Sequence, residues 1–228
     1  MLGIVEAAMK AIILGAAGLI LFISTSFAAS PPGRQAGADL DKKVQAFLDR
    51  HAGTWRDLNV PEADGRTLYD IVLKNKYTRA LEIGTSTGHS GIWIAWALSK
   101  TGGKLITIDI DKARHLEAVV NFREAGLDAF IDARLADAHD LVPKLLGPFD
   151  FVFCDADKDW YKNYFIAVLP KLTVGGSFAA HNVSERMRRG GWGSADFVEY
   201  VLSLPFMETT FVEGSPAGMS ISVKRREK

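Results

Sequence analysis

Arg79-Ala80-Leu81-Glu82-Ile83-Gly84-Thr85-Ser86-Thr87-Gly88-His89-Ser90 is a short apolar run that stops at a glycine turn and passes straight into a helical pattern. Gly84 permits a tight turn, and Gly88 lets backbone approach a ligand beside helix-start N–H groups left exposed. Strand, turn and helix in that order open a parallel α/β sheet, in which ligands sit past the carboxyl ends of strands where the strand order reverses. The spacing is not G-x-G-x-x-G, so the pyrophosphate cradle of a dinucleotide site is incomplete. Glu82, just before the turn, suits a cationic ligand such as an amino group.

Outward from this stretch, continuously apolar runs alternate with helical ones. Leu105–Ile110, Ala133–Ala136, Phe149–Cys154 and Ser177–Ala180 read as further buried strands. Gly91–Lys100, Ala113–Glu124, Leu141–Leu146 and Tyr161–Leu172 read as helices between them, and Asp39–His51 and Arg66–Asn75 as helices before them. The succession demands parallel strands with right-handed crossovers, hence a doubly wound α/β sheet. Glu208–Glu213 and Met219–Lys224 alternate in polarity around a Gly/Pro turn, which predicts a terminal hairpin and one antiparallel strand.

Two more strand ends carry candidate chemistry. Asp109 closes the second strand 21 residues past Gly88, where an acid would hydrogen-bond ribose hydroxyls. The fourth strand finishes Cys154-Asp155-Ala156-Asp157-Lys158 and the fifth Ala180-His181-Asn182, both opening on the same crevice. Asp155, His181 and Asn182 offer a carboxylate, an imidazole and an amide oxygen to a divalent cation. Lys158, one turn from Asp155, could serve as a base near that ion. The blander alternative is that Asp155 and Asp157 cap the following helix.

The 228 residues carry no formal net charge, which argues against a nucleic-acid partner, and the single Cys154 excludes an intrachain disulfide or a multi-cysteine zinc site. Ala11–Ala29 holds no charged residue, follows Lys10 and ends in Ser26-Phe27-Ala28, small residues where a signal peptidase reads. Residues 1–28 are therefore expected to be an export signal, giving a periplasmic or secreted protein, or alternatively a membrane anchor if uncleaved. Residues 29–38 read as a linker, and 39–228 as one domain.

Leu81-Glu82-Ile83-Gly84…Gly88…Ser90, Ile106-Thr107-Ile108-Asp109, Asp155-Ala156-Asp157-Lys158…Tyr161…Tyr164 and the Asn182 strand end together resemble one family. It is the cation-dependent O-methyltransferases that include catechol and caffeoyl-CoA O-methyltransferases, within the class I S-adenosylmethionine enzymes. The resemblance runs from about Val60 to the C terminus. It implies a Rossmann-like, mostly parallel seven-stranded sheet whose last strand is antiparallel. It also implies S-adenosylmethionine as cofactor. Glu82 would meet its methionine amino group, with Gly84 and Ser90 at the amino-acid moiety and Ser86 also among the cofactor-binding residues. Asp109 would take the ribose and Ala138 the adenine, with Asp155, Asp157 and Tyr164 completing the cofactor set. Asp155, His181 and Asn182 would hold the metal, and Lys158 would be the base. The family usually has an aspartate where this chain has His181. That change favours a first-row metal such as Mn²⁺ over Mg²⁺, or points to a metal-free site with His181 as base.

The expected reaction is methylation of a hydroxyl on a small aromatic acceptor. Ser184–Trp192 and the region near Trp55 are expected to contact that acceptor, with 187–192 as a lid. The resemblance leaves room for a homodimer. An NAD-dependent oxidoreductase and a non-catalytic nucleoside-binding module are the rival readings.

Overall fold

The computed structural model describes residues 32–56, 58–189 and 193–227. The chain runs α1 (Pro32–Arg50), α2 (Glu62–Asn75), β1 (Arg79–Ile83), α3 (His89–Thr101), β2 (Lys104–Asp109), α4 (Lys112–Ala125) and β3 (Ile131–Leu135). It continues through α5 (Ala138–Leu141), β4 (Phe149–Cys154), α6 (Tyr161–Val168), β5 (Leu172–His181), α7 (Ala195–Leu202), β6 (Met207–Phe211) and β7 (Met219–Lys224). The strands form one sheet in the order β3-β2-β1-β4-β5-β7-β6. The pairs β3–β2, β2–β1, β1–β4 and β4–β5 are parallel, and β7 runs antiparallel to both β5 and β6. Strand order reverses between β1 and β4, so the crevice that such sheets reserve for ligands opens above these two strands.

Side chains alternate across the sheet and divide the core between its faces. Leu81, Ile83, Val152, Cys154 and Phe178 pack with Phe165 of α6 and Phe197 of α7 on one side. Ala80, Leu105, Phe151, Phe153 and Ala179 pack with Leu68 and Val72 of α2 and Leu98 of α3 on the other. Val44 and Phe47 of α1 and Phe122 of α4 extend that second layer around Ile92 and Trp93. This two-sided burial is why the inner strands read as apolar runs.

Several boundaries differ from the sequence expectation. The stretch taken as linker is helical from Pro32. Helix α2 starts four residues before Arg66, at Glu62, directly after Pro61. The helix expected over 141–146 is the single turn α5 followed by a 3-10 turn at Val142–Lys144, because Pro143 supplies no N–H to prolong it. Pro170 likewise ends α6 before Leu172, which is the first residue of β5. Strand β3 lies at the sheet edge and begins two residues before Ala133. Among the described residues no helix is long and apolar enough to cross a membrane, and the leader expected over 1–28 lies outside them.

Candidate active site

A cleft of about 660 Å³ opens at the carboxyl ends of β1, β2, β4 and β5. The turns that build it are pressed together. Gly84 has φ +97°, and a Cβ there would fall 2.3 Å from the Asp155 carbonyl oxygen. Asp155 N–H in turn donates to Ile83 O at 2.8 Å, so the turn after β1 rests on the turn after β4. The Asp109 carboxylate accepts Ser86 N–H at 2.7 Å and Asp111 N–H at 2.8 Å, tying the turns after β1 and β2 to each other. A carboxylate has about four lone-pair directions, so Asp109 can still accept from a bound hydroxyl.

Gly84, Ser86, Asp109 and Ala138 line one part of this cleft, and Asp155, Asp157, Lys158, Tyr164, His181 and Asn182 line the rest. His139 joins the Ala138 side with its ring stacked 4.3 Å from Trp160. Asp157 caps the turn Lys158–Trp160 by accepting Asp159 N–H, so it is a helix cap as well as a wall residue.

Two expected cofactor residues lie elsewhere. Glu82 points to the opposite sheet face from Leu81 and Ile83, is fully buried, and accepts Thr107 Oγ1–H at 2.6 Å. The Ser90 hydroxyl bonds the same carboxylate, and neither Glu82 nor Ser90 reaches the cleft wall. The start of α3 is also covered rather than exposed: His89, Ser90 and Gly91 are buried, and Asn59 Oδ1 accepts His89 N–H at 3.3 Å. Burial raises the Glu82 pKa from 4.5 to about 7, against the two hydroxyl bonds and with help from the Asp155 and Asp109 charges. The folded state therefore keeps this proton to higher pH than the unfolded chain, and stability falls as pH rises from 4.5 through about 7. Glu82→Gln is expected to stabilise the ligand-free protein by up to about 3 kcal/mol at pH 8 and by much less near pH 5. Urea denaturation at both pH values checks this; an equal effect at both contradicts it.

Along this wall the charges form a chain. Lys158 Nζ bonds Asp155 Oδ1 and donates to Tyr161 Oη at 2.8 Å, and Tyr161 Oη donates to the His181 carbonyl at 3.1 Å. Burial alone would raise the Asp155 pKa, but His181 and Lys158 outweigh it and hold the carboxyl below its usual range. His181 is 3% exposed. Its burial opposes a charged ring, yet Asp155 and Asp64 outweigh that and lift its pKa above the ordinary imidazole value. The Asp64 contact is a hydrogen bond, Nε2 to Oδ2 at 3.0 Å. Nδ1 lies 3.0 Å from Asp155 Oδ2 but is aligned for no hydrogen bond.

This donor set fits a cation. Among the described residues no three His, Cys, Asp or Glu side chains converge on one point, so the third donor would be the Asn182 amide. A buried nitrogen without a hydrogen bond sits beside a carboxylate oxygen, and two donors 3.0 Å apart can share one ion at bonds of about 2.1 Å. With imidazole in the set, first-row transition metals suit it better than Mg²⁺.

Of the segments expected to contact the acceptor, the region near Trp55 reaches the cleft. Trp55 stacks on His89 at 4.4 Å beside a smaller cavity, and the cleft mouth takes Leu58, Asn59 and Pro61 from the same connection instead. Of residues 184–187 none lines the cleft, and Met187 packs against the core; 190–192 of the expected lid lie outside the described residues. Asp64 was missed because α2 was expected to start later. The signal was present: Pro61 followed by Glu62 and Asp64 is a helix start, and Asp64 falls on the stripe of Leu68 and Val72.

A parallel sheet with a strand-order reversal, an acid at the second strand end and a charged cluster across from it define a doubly wound α/β fold with a polar cleft where such sheets bind ligands. Residues 38–186 match the family model described as O-methyltransferase, and the chain belongs to that family. It is 41% identical over 130 residues to a catechol O-methyltransferase of Niastella koreensis, covering 55% of this chain and 58% of that one. It is 31% identical over 144 residues to a flavonoid 3',5'-methyltransferase of Vitis vinifera, covering 60% of each. The chain thus spans about three-fifths of these curated relatives. Among solved structures, the O-methyltransferase of Streptomyces achromogenes involved in tomaymycin synthesis, in complex with SAM, superposes with TM-score 0.66 at 26% identity. That match covers 81% of this chain and 88% of the other. The Bacillus cereus O-methyltransferase in complex with SAH has the same fold, with TM-score 0.67 at 23% identity over 89% of this chain and 95% of that one.

Proposed function

We propose that this chain moves a methyl group from S-adenosylmethionine to a hydroxyl of a small aromatic acceptor, assisted by a divalent cation. The observation that carries the reading is the meeting of Asp109, Asp155, Lys158, His181 and Asn182 in one cleft at the strand-order reversal. The family match supports methyl transfer over the nicotinamide reading, and the names of the relatives support a phenolic acceptor.

S-Adenosylmethionine supplies an already electrophilic methyl, which leaves sulfur as the new O–C bond forms. The protein's task is therefore positioning, worth up to about 7–11 kcal/mol when two reactants are held in line. Asp109 would hold the ribose and Gly84 and Ser86 the amino-acid end, with Ala138 beside the adenine. Asp155, His181 and Asn182 would hold the cation, which lowers the proton affinity of acceptor oxygens. Lys158 Nζ lies on the cleft wall beside Asp155 and would receive the hydroxyl proton as a neutral amine, once a bound cation replaces it at the Asp155 carboxylate. His181 is less available to take that proton, because it is buried, with Nε2 held by Asp64 and Nδ1 assigned to the cation.

Chelation tests the cation. Incubation with EDTA is expected to remove most methyl transfer from the full chain, with Mn²⁺ restoring it better than Mg²⁺. Full activity in EDTA would take the ion out of the mechanism. The apolar leader supports export or anchoring of this domain, which mass spectrometry of the mature N terminus checks.

A further inference from the structure

We propose that Asp64 is a positioning residue for the cation site: by accepting the Nε2–H of His181 it turns the ring so that Nδ1 faces Asp155. This rests on the reading above that Asp155, His181 and Asn182 hold a cation.

Four observations carry it. Asp64 is 0% exposed, and its Oδ1 has no partner, so the bond from His181 is what compensates a carboxylate taken out of water. The residue is brought there by packing. Gly65 follows it, and a Cβ on Gly65 would fall 2.2 Å from the Trp93 indole. Helix α2 therefore lies directly against α3, with Asp64 turned towards the end of β5. On the far side of the ring Nδ1 is buried, 3.0 Å from Asp155 Oδ2, and in no aligned hydrogen bond. Finally, an aspartate at 181 would set a second buried carboxylate against Asp64, whereas an imidazole gives Asp64 a donor. Asp64 and His181 thus form a matched acceptor–donor pair. Carboxylate, imidazole and metal in series is a common way for proteins to fix a ligand's orientation, and losing the outer carboxylate typically costs about 10–100-fold in metal affinity.

The test uses the full chain and Co²⁺ alone, read by its visible absorption and by calorimetry, with folding followed by circular dichroism. Wild type is expected to bind Co²⁺, and Asp64→Asn to weaken binding by about 10–100-fold with a changed spectrum. In a His181→Asp background the same Asp64 substitution is expected to cost nothing or to strengthen binding, since it removes a like charge. Equal losses in both backgrounds would mark Asp64 as merely structural and overturn the proposal. Unchanged affinity in Asp64→Asn would overturn it while leaving the cation reading intact. No binding by wild type would overturn both. Should Asp64→Asn fail to fold, ¹⁵N shifts of the His181 ring in Zn²⁺-loaded wild type decide the matter. A protonated Nε2 with a ligated Nδ1 is expected, and the reverse contradicts it.

Discussion

Asp155→Ala is expected to lower kcat/KM for methyl transfer by at least ~10³-fold, about 4 kcal/mol of transition-state stabilisation. The carboxylate is the node of the site: Oδ1 bonds Lys158 and Oδ2 lies 3.0 Å from His181 Nδ1. Removing it frees the proposed base and takes a charge from the proposed cation site in one step. The protein should still fold, because Asp64 continues to pair with His181 and the backbone bond from Asp155 N–H to Ile83 O is unaffected. Stability will still be lost, with a defined pH dependence. The folded-state pKa of Asp155 is depressed, so its contribution is present above the ordinary carboxylate value and fades as pH falls through the lowered one. The variant should therefore differ most from wild type at neutral pH. Asp155→Asn keeps the shape and removes the charge, and should lose comparable activity. Wild-type rates in either folded variant would refute the assignment.

Gly84→Ala is expected to be the most damaging single methyl group in the domain. An alanine at φ +97° is strained by about 1–3 kcal/mol, and a Cβ 2.3 Å from the Asp155 carbonyl must push two turns apart at a further cost of about 1–3 kcal/mol. That displaced carbonyl belongs to the residue just described, so activity and stability should fall together. Thermal unfolding and calorimetric titration with S-adenosylhomocysteine check both. A variant that melts and binds like wild type would show that the turns are not in contact as described. Gly214, also at positive φ but with open space around its missing Cβ, is the control, and its alanine variant should show strain alone.

The strands that define the cleft were legible because burial on both faces writes itself as an unbroken apolar run. Arg79–Ile83 and Phe149–Cys154 stand where the sequence placed them. Helix ends were less legible where proline intervened: Pro143 and Pro170 cut short patterns that hydrophobic spacing would continue. Most expected site residues meet in one cleft because motifs at strand ends converge once the topology is known. Glu82 shows the limit of that logic. Its place in the chain is at the ligand end of β1, but strand alternation sends its carboxylate to Thr107 and Ser90 behind the wall. Asp64 shows the converse. It sits in no strand-end motif and reaches the site through helix packing at Gly65, which depends on the fit of two surfaces rather than on local pattern.

The most direct test of the whole account is a single transfer assay. The full chain is mixed with S-adenosylmethionine carrying a deuterated methyl, a catechol acceptor and Mn²⁺, and the acceptor is analysed by mass spectrometry. The expected result is a labelled methyl on a phenolic oxygen, with none in the Asp155→Ala sample. Labelled product formed equally by both proteins would contradict it, and so would no product from wild type across a panel of phenolic acceptors.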